Sequence, residues 1–263
     1  MTTAPHRLPP LAPGIPKAPA LLLAAGRGER MRPLTDRTPK PLLNVRGRPL
    51  MAWCLQRMAQ AGLRQVVINT AWLGEQIPTA LQRLAASDSA TGTLQLHYSH
   101  EGRDFGGALE TAGGIVRALP WLDDVFWVAA GDVFAPDFGF DPNARAQLTA
   151  SPCLAHLWLV PNPPHNPRGD FGLSDQGLAL NLPPDHPGPR FTFSTIGLYK
   201  QALFDAPWCD IPHGNPDGVK AALAPLLRRA MDQGLVSACL YTGAWTDVGD
   251  RKSTRLNSSH GYI

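Results

Sequence analysis

The sequence predicts an α/β domain in which a mostly parallel, mixed β-sheet is flanked by helices. Two observations support this prediction. Short apolar runs alternate along the chain with segments whose apolar residues recur at helical spacing, which is typical of a parallel sheet covered on both faces. The length of 263 residues is sufficient for one large domain of this class with its own core.

The predicted elements follow one another in a regular order. Strands are predicted at residues 21–25, 66–68, 94–98, 125–130, 154–160 and 191–199, and helices at residues 49–61, 73–84, 109–119 and 219–231. Residues 238–248 are predicted to bring the chain back to the sheet. Residues 134–190 are rich in Pro, Gly, Asn and Asp, and apart from the strand at 154–160 they are predicted to be the irregular part that adds a second substrate's pocket.

Composition argues against several classes of protein. The net charge of +3 is small and scattered, so nucleic-acid binding is not expected. The four cysteines lie far apart without a C-x-x-C pair, which favours reduced thiols over a disulfide framework or a zinc site. No apolar run approaches the roughly 18 residues of a membrane span, and the run 21–25 is too short for a signal-peptide core. We therefore expect a cytoplasmic protein without a membrane partner; its oligomeric state is not indicated.

The stretch 21–41 carries the strongest local signal. Its apolar run ends in Gly26 and Gly28, which free the backbone to turn sharply and present N–H groups. Arg30 follows, and Lys40 lies between two prolines. A strand followed by a glycine turn and by cations is suited to binding a polyanion. The expected ligand is a nucleoside triphosphate.

Neither of the common phosphate-binding fingerprints fits this stretch. In the dinucleotide pattern G-x-G-x-x-G the third glycine position holds Met31, and the Gly-Lys-Ser/Thr of the P-loop is absent. An ordinary strand-to-helix turn with solvated arginines is the alternative.

The ordered set LAAGRGERMRPLT followed by TPKPL resembles the sugar-phosphate nucleotidyltransferases. Within that family it is most similar to the N-acetylmuramate α-1-phosphate uridylyltransferases, and the resemblance covers residues 20–249. Further matching segments are Ile68-Asn69, Ala71-Trp72-Leu73-Gly74, Leu109-Glu110-Thr111-Ala112-Gly113-Gly114, Gly131-Asp132, Gly169-Asp170-Phe171 and Trp245-Thr246-Asp247-Val248-Gly249.

The resemblance implies a Rossmann-like fold of the nucleotide-diphospho-sugar transferase type. It also implies transfer of UMP from UTP to N-acetylmuramate α-1-phosphate, with release of pyrophosphate, in cell-wall sugar recycling. The alternatives are a mannose-1-phosphate guanylyltransferase, a glucose-1-phosphate thymidylyltransferase, or a catalytically inactive domain that binds a nucleotide or a sugar.

Two acids and two cations are the expected catalytic groups. Asp132 and Asp247 each follow an apolar strand, and ligands of open α/β sheets bind at the carboxyl ends of strands. Two carboxylates with phosphate oxygens and waters suit Mg²⁺, although either aspartate alone could be a turn or cap residue. Arg30 is expected to clamp phosphate oxygens, and Lys40 to meet the α-phosphate or the sugar phosphate. Arg30, Lys40 and Asp132 are thus the expected catalytic residues.

The resemblance also implies binding residues on both sides of these groups. The nucleotide is expected to contact Ala25, Gly26, Gly28, Glu29, Arg30, Lys40, Glu110, Thr111 and Gly113. Glu110 could accept a hydrogen bond from an imide N–H of uracil, or could instead be a solvent-facing residue at a helix start. The sugar is expected to contact Asp170 and Ser194, with a turn aspartate as the alternative for Asp170.

Three positions depart from the family pattern. Ala130 stands where the family commonly has the Asn of Asn-Gly-Asp, and Thr195 stands where it has the Gly of Phe-Ser-Gly. The loop 103–108 is longer than the common form.

The two ends of the chain are expected to lie outside the domain 18–249. Residues 1–17 contain five prolines and are predicted to be a disordered or polyproline II leader. Residues 250–263 have no apolar period and match the translation of a common sequencing adapter, which predicts a non-native tail. The resemblance implies a C-terminal helix after Gly249, so this helix is expected to be missing.

Overall fold

The computed structural model describes residues 6–183 and 185–248. Predictions for residues 1–5, for Gly249 and for the tail 250–263 lie outside the described residues.

A seven-stranded mixed sheet forms the centre of the described part of the chain. Its strands, in the spatial order β12-β8-β11-β6-β1-β4-β5, are β12 (Val236–Leu240), β8 (Ala155–Val160), β11 (Thr192–Lys200), β6 (Leu122–Ala130), β1 (Ala18–Ala24), β4 (Gln65–Thr70) and β5 (Gln95–His100). β1 pairs in parallel with β4 and β6, and β11 is antiparallel to both β6 and β8. The predicted mostly parallel, mixed sheet is confirmed.

Helices cover both faces of the sheet. The described residues contain α1 (Leu50–Gln60), α2 (Gln76–Ser87), α3 (Glu101–Phe105), α4 (Glu110–Ala118), α5 (Pro142–Ala150) and α6 (Leu223–Asp232). Because side chains alternate along a strand, Leu21 of β1 joins the core that α4 and α6 cover, and Leu22 joins the core on the other face with α1 and α2. None of these helices is long and apolar enough to cross a membrane.

Short strand pairs complete the described structure. They are β2 (Asn44–Val45) with β3 (Arg48–Pro49), β7 (Val133–Phe134) with β13 (Thr246–Asp247), and β9 (Gly172–Leu173) with β10 (Ala179–Leu180).

The helices α3 and α5 lie where none was predicted. α5 falls in the segment predicted to be irregular. Its start nevertheless carries a recognisable signal, because Asp141 accepts a hydrogen bond from the N–H of Asn143 at 2.8 Å and Pro142 occupies the first helical position. Asp at the cap with Pro after it is a common helix start, but the surrounding Pro, Gly and Asp residues obscured it.

The described part of the predicted leader lies against the domain. The indole N–H of Trp121 donates to the carbonyl of Pro9 at 2.7 Å, and Leu8 and Leu11 pack against the core. Residues 1–17 were expected to lie outside the domain, but Leu8, Pro9 and Leu11 contact its core. An extended, proline-containing segment still carries free carbonyls and apolar side chains, and both find partners here.

Candidate active site

A cavity of about 820 Å³ opens at the carboxyl ends of β1 and β6. This is the edge at which ligands bind in open α/β sheets. Its wall includes most of the residues predicted to bind the nucleotide or to carry the chemistry: Ala25, Gly26, Gly28, Glu29, Arg30, Lys40, Glu110, Thr111 and Asp132. The structure thus brings together residues that lie far apart in the sequence.

The glycine turn is fastened to the segment that carries Lys40. Gly28 has a φ of 65°, and a Cβ built on it would lie 3.0 Å from the Cβ of Lys40 and from Cγ2 of Thr35. The hydroxyl of Thr35 donates to the carbonyl of Gly28 at 2.8 Å. Both the left-handed backbone and the close approach require glycine at this position.

Lys40 lies between the two predicted metal-binding acids. Its side chain is 9% exposed, and its Nζ donates to Oδ2 of Asp132 at 2.6 Å and lies 3.8 Å from Oδ1 of Asp247. The pairing of β13 with β7 places Asp247 opposite Val133, and the N–H of Val248 donates to the carbonyl of Asp132 at 3.2 Å. This small strand pair therefore brings the second acid to the first.

The electrostatics of Asp247 reflect this crowding. Burial raises the pKa of Asp247, the neighbouring Asp132 raises it further, and Lys40, His165 and Arg30 oppose the rise. His165 Nε2 lies 3.8 Å from Oδ2 of Asp247. A partly buried pair of acids is a favourable place for a cation, because a second positive charge offsets their mutual repulsion.

The donor set suits a metal that shares its ligands with a substrate. In the described residues no group of three or more His, Cys, Asp or Glu side chains could hold a metal ion. The two carboxylates would therefore need phosphate oxygens and waters to complete a shell, which is the usual arrangement for Mg²⁺.

The wall on the β4 side is braced by a buried carboxylate. Glu101 has no exposed surface, and its two oxygens accept hydrogen bonds from Nδ2 of Asn69 and from the N–H of Leu109, each at 2.8 Å. Asn69 Oδ1 accepts from the N–H of Ala24 at 2.8 Å. The end of β1, the end of β4 and the start of α4 are thus tied together. Burial raises the pKa of Glu101, and these two N–H groups and the charge of Arg117 oppose the rise.

Sequence reasoning missed the roles of Asn69 and Glu101. Asn69 lines the cavity at the end of a buried strand, so the rule that selected Asp132 could also have selected it. Glu101 gave no such signal, because a glutamate that follows a strand is usually exposed.

Gly113 lies away from the cavity wall. A Cβ on it would lie 2.5 Å from the carbonyl of Val219, and its own N–H donates to the carbonyl of Ala221 at 3.1 Å. The glycine therefore permits α4 to pack closely against residues 219–221. The prediction of a nucleotide contact at Gly113 has no support from this placement.

The wall on the β11 side is mainly apolar. Phe171, Phe193, Thr195 and Tyr199 line it, together with residues 222–224 and Leu227 around the start of α6. The irregular nature of the segment before β11 was predicted, and of the lining residues only Thr195 was singled out from the sequence, as a departure from the family pattern.

The two predicted sugar contacts stand behind this wall. Asp170 accepts a hydrogen bond from the N–H of Phe193 at 2.8 Å and another from Nδ2 of Asn166 at 3.1 Å. Ser194 is fully buried, and its hydroxyl accepts from the N–H of Ile196 at 3.2 Å. Neither side chain lines the cavity as the described residues form it, so both hold the wall in place.

A known protein family and several of its characterised members match this chain. The family model described as nucleotidyl transferase matches residues 19–182. The chain belongs to the nucleotidyl transferase family. This nucleotidyltransferase is 47% identical over 234 residues to the N-acetylmuramate alpha-1-phosphate uridylyltransferase of Neisseria meningitidis, covering 88% of this chain and 92% of that protein. It is 35% identical to the UTP–glucose-1-phosphate uridylyltransferase of Synechocystis, with 88% of this chain and 60% of that protein covered.

Solved structures share the fold of this nucleotidyltransferase. A Bacillus anthracis structure described as a glucose-1-phosphate thymidylyltransferase in complex with sucrose superposes with a TM-score of 0.71 at 18% identity, covering 92% of this chain and 94% of that chain. HddC from Yersinia pseudotuberculosis gives a TM-score of 0.66 at 15% identity, with coverages of 92% and 99%. These likenesses establish the nucleotide-diphospho-sugar transferase fold.

Proposed function

We propose that this nucleotidyltransferase transfers UMP from UTP to N-acetylmuramate α-1-phosphate and releases pyrophosphate. The observation that carries the chemistry is the convergence of Lys40, Asp132 and Asp247 beside the glycine turn. The choice of nucleotide and sugar rests on the 47% identity to the relative from Neisseria meningitidis. The proposal includes a cytoplasmic location and a place in cell-wall sugar recycling.

The reaction needs alignment and charge neutralisation more than an activated nucleophile. An oxygen of the sugar phosphate attacks the α-phosphorus of UTP, and the bond from that phosphorus to the oxygen bridging to the β-phosphate breaks. Pyrophosphate leaves with the electron pair of that bond. Because a phosphate monoester is already ionised at neutral pH, no side chain has to remove a proton, and the main task is to bring two anions together.

The residues of the cavity divide this task. Lys40 neutralises charge near the α-phosphate, and Arg30 binds the phosphates that become pyrophosphate. N–H groups of the turn 25–29 bind the remaining phosphate oxygens. Asp132 and Asp247 would hold Mg²⁺, which when bound reduces the repulsion between the two phosphates.

The start of α4 is the proposed site of the uracil base. Glu110 and Thr111 line the cavity there, and Glu110 is exposed at the surface with a φ of 59°. A non-glycine residue in the left-handed region is uncommon and is often held there for a functional reason. In this proposal Glu110 accepts a hydrogen bond from the imide N–H of uracil.

Pyrophosphate release across a panel of substrates tests the proposal. UTP, GTP and dTTP are each combined with N-acetylmuramate α-1-phosphate, glucose-1-phosphate and mannose-1-phosphate in the presence of Mg²⁺. We expect the highest kcat/KM with UTP and N-acetylmuramate α-1-phosphate, and loss of activity in the Asp132→Asn control. A preference for GTP with mannose-1-phosphate, or for dTTP with glucose-1-phosphate, would assign the corresponding alternative. No release with any pair would leave only a binding domain.

A further inference from the structure

We propose that Thr195 determines specificity for the acceptor by forming a hydrogen bond through its hydroxyl to the sugar-1-phosphate. The proposal rests on the proposed nucleotidyl transfer and adds a residue of the acceptor side to it. Thr195 lines the cavity, and three further observations concern its place in the sheet, its backbone and its hydroxyl.

The first observation is the place of Thr195 beside the catalytic groups. β11 runs antiparallel to β6, and Gly197 pairs with Val128. Thr195 lies two residues nearer the start of β11, before the regular pairing with β6 begins. Ala130 also lines the cavity and precedes Asp132 by two positions. Thr195 therefore borders the same cavity as Ala130 and Asp132, in which the phosphates are proposed to react.

The second observation is the backbone of Thr195. Its φ is 63°, a value that is a genuine outlier for a β-branched residue. The pairing of β11 with β8 shifts register between Phe193 and Gly197, so Thr195 occupies an irregular point of the strand. The carbonyl of Ser194 next to it accepts a hydrogen bond from the indole N–H of Trp245 at 3.1 Å. Strain that the surroundings maintain in this way is typical of functional sites.

The third observation is the state of the hydroxyl. Oγ1 of Thr195 is buried and has no hydrogen-bond partner within residues 6–183 and 185–248. A buried hydroxyl without a partner is unfavourable, and most buried polar atoms have one. Much of the adjoining wall is apolar, with Phe171, Phe193 and Tyr199. Rotation about the Cα–Cβ bond would turn this hydroxyl to a ligand in the cavity, where it gains the missing partner.

The strand order indicates which substrate this is. The glycine turn follows β1, and β11 lies on the opposite side of β6 from β1. Lys40 and Asp132 stand between the two sides. The triphosphate occupies the β1 side, so the partner of Thr195 is a hydroxyl, amide or phosphate oxygen of the acceptor.

Steady-state kinetics of Thr195 variants test the proposal with the full chain. Thr195→Val keeps the shape and the branched Cβ but removes the hydroxyl, and we expect the KM for the acceptor to rise about 3- to 10-fold, the usual value of one neutral hydrogen bond. The KM for UTP should stay within about 2-fold, while Thr195→Ser should retain the wild-type KM for the acceptor. Thr149→Val, which removes an exposed hydroxyl of α5, is the matched control.

A glycine variant sharpens the test. Thr195→Gly removes the hydroxyl together with the rest of the side chain, and it should raise the KM for the acceptor at least as much as Thr195→Val does. An unchanged acceptor KM in a folded Thr195→Val protein, or a rise in the KM for UTP alone, would overturn the proposal. If the wild-type chain prefers a different substrate pair, the same variants are measured with that pair, so the two proposals fail separately.

Discussion

The two walls of the cavity are braced by the same device but built in different ways. On the β4 side, Glu101 accepts hydrogen bonds from the N–H of Leu109 and from Asn69. On the β11 side, Asp170 accepts from the N–H of Phe193 and from an asparagine amide. In both, a carboxylate behind the wall fixes a backbone N–H of a residue that leads into the cavity.

The two walls differ in the elements that form them and in the burial of the bracing carboxylate. The β4 side joins the ends of parallel strands to the start of α4, and its brace is completely buried. The β11 side joins the start of an antiparallel strand to a long connection, and Asp170 is partly exposed. The comparison teaches that the proposed nucleotide side is fixed by the sheet itself, whereas the proposed acceptor side is fixed by contacts added to the sheet.

Removal of the positive charge of Lys40, which lies between the two walls, should have the largest effect on turnover. In Lys40→Met the side-chain stem remains, but Asp132 and Asp247 lose the ammonium that contacts both. We expect kcat to fall by about 10²–10³-fold, as for loss of one group that stabilises developing charge. Folding should change little, because the two carboxylates are 34% and 29% exposed and keep contact with water. Pyrophosphate release and thermal unfolding measure the two quantities.

Lys200→Met is the matched control for this variant. Lys200 is the last residue of β11 and lies outside the cavity lining. Its Nζ donates a hydrogen bond to the carbonyl of Ser151 at 2.6 Å. Its loss should leave kcat unchanged. Wild-type turnover in Lys40→Met would contradict the proposed role of Lys40 and the assignment of the site to both substrates.

Replacement of either bracing carboxylate by the corresponding amide should have an intermediate effect, and each replacement should raise the KM of one substrate only. Glu101→Gln and Asp170→Asn each place an NH₂ group where a hydrogen-bond acceptor is needed, and a buried donor left unpaired costs about 1–3 kcal/mol of stability. We expect Glu101→Gln to raise the KM for UTP and Asp170→Asn to raise the KM for the acceptor. Substrate titrations at fixed partner concentration measure both constants. If both variants lower the unfolding temperature without separating the two KM values, the carboxylates only stabilise the fold.

Acidification should have the smallest effect, and it compares β5, at one edge of the sheet, with β8, the strand next to the other edge. Burial lowers the pKa of His97 in β5 and of His156 in β8 below the ordinary value of 6.5. As the pH falls through 6.5, the unfolded chain binds these protons before the folded chain does, so the free energy of unfolding decreases. Thermal unfolding between pH 8 and pH 5 should show this loss.

Two histidine variants apportion the loss of stability. His97→Gln keeps a group able to pair with Gln65, and His156→Asn keeps one able to pair with Ser237. Each should reduce the difference in unfolding temperature between neutral and acidic pH. A variant whose acid dependence equals that of the wild type would show that its histidine does not contribute.

The sequence was sufficient where the signal was local or followed from strand direction. Six strands of the seven-stranded sheet and four of the helices come from apolar patterns, and the glycine turn comes from residues within a few positions of Gly28. Asp132 could be placed at the cavity edge because it follows an apolar run, and Asp247, predicted on the same ground, lies beside Lys40 of the cavity wall. Their meeting at Lys40 could only be expected from the family resemblance, since Lys40 and Asp132 are 92 residues apart and β13 is two residues long.

The parts that could not be predicted depend on local geometry without a sequence signal. Gly113 sits in a matching motif, yet its lack of a side chain serves a close helix contact. Asp170 and Ser194 have the right polarity for sugar contacts, but a backbone N–H engages each of them behind the wall. Thr195 was visible only as a departure from a pattern, because a left-handed residue inside a strand follows from tertiary packing.

The long connection between β8 and β11, residues 161–191, has a consequence for how such enzymes diversify. It leaves the sheet after β8 and returns at the start of β11, so a loop of different length or composition would reshape the proposed acceptor side without shifting the glycine turn, Lys40 or the two acids. Substitutions in this one segment are therefore free to alter the proposed sugar contacts while the residues proposed to bind the nucleotide keep their places.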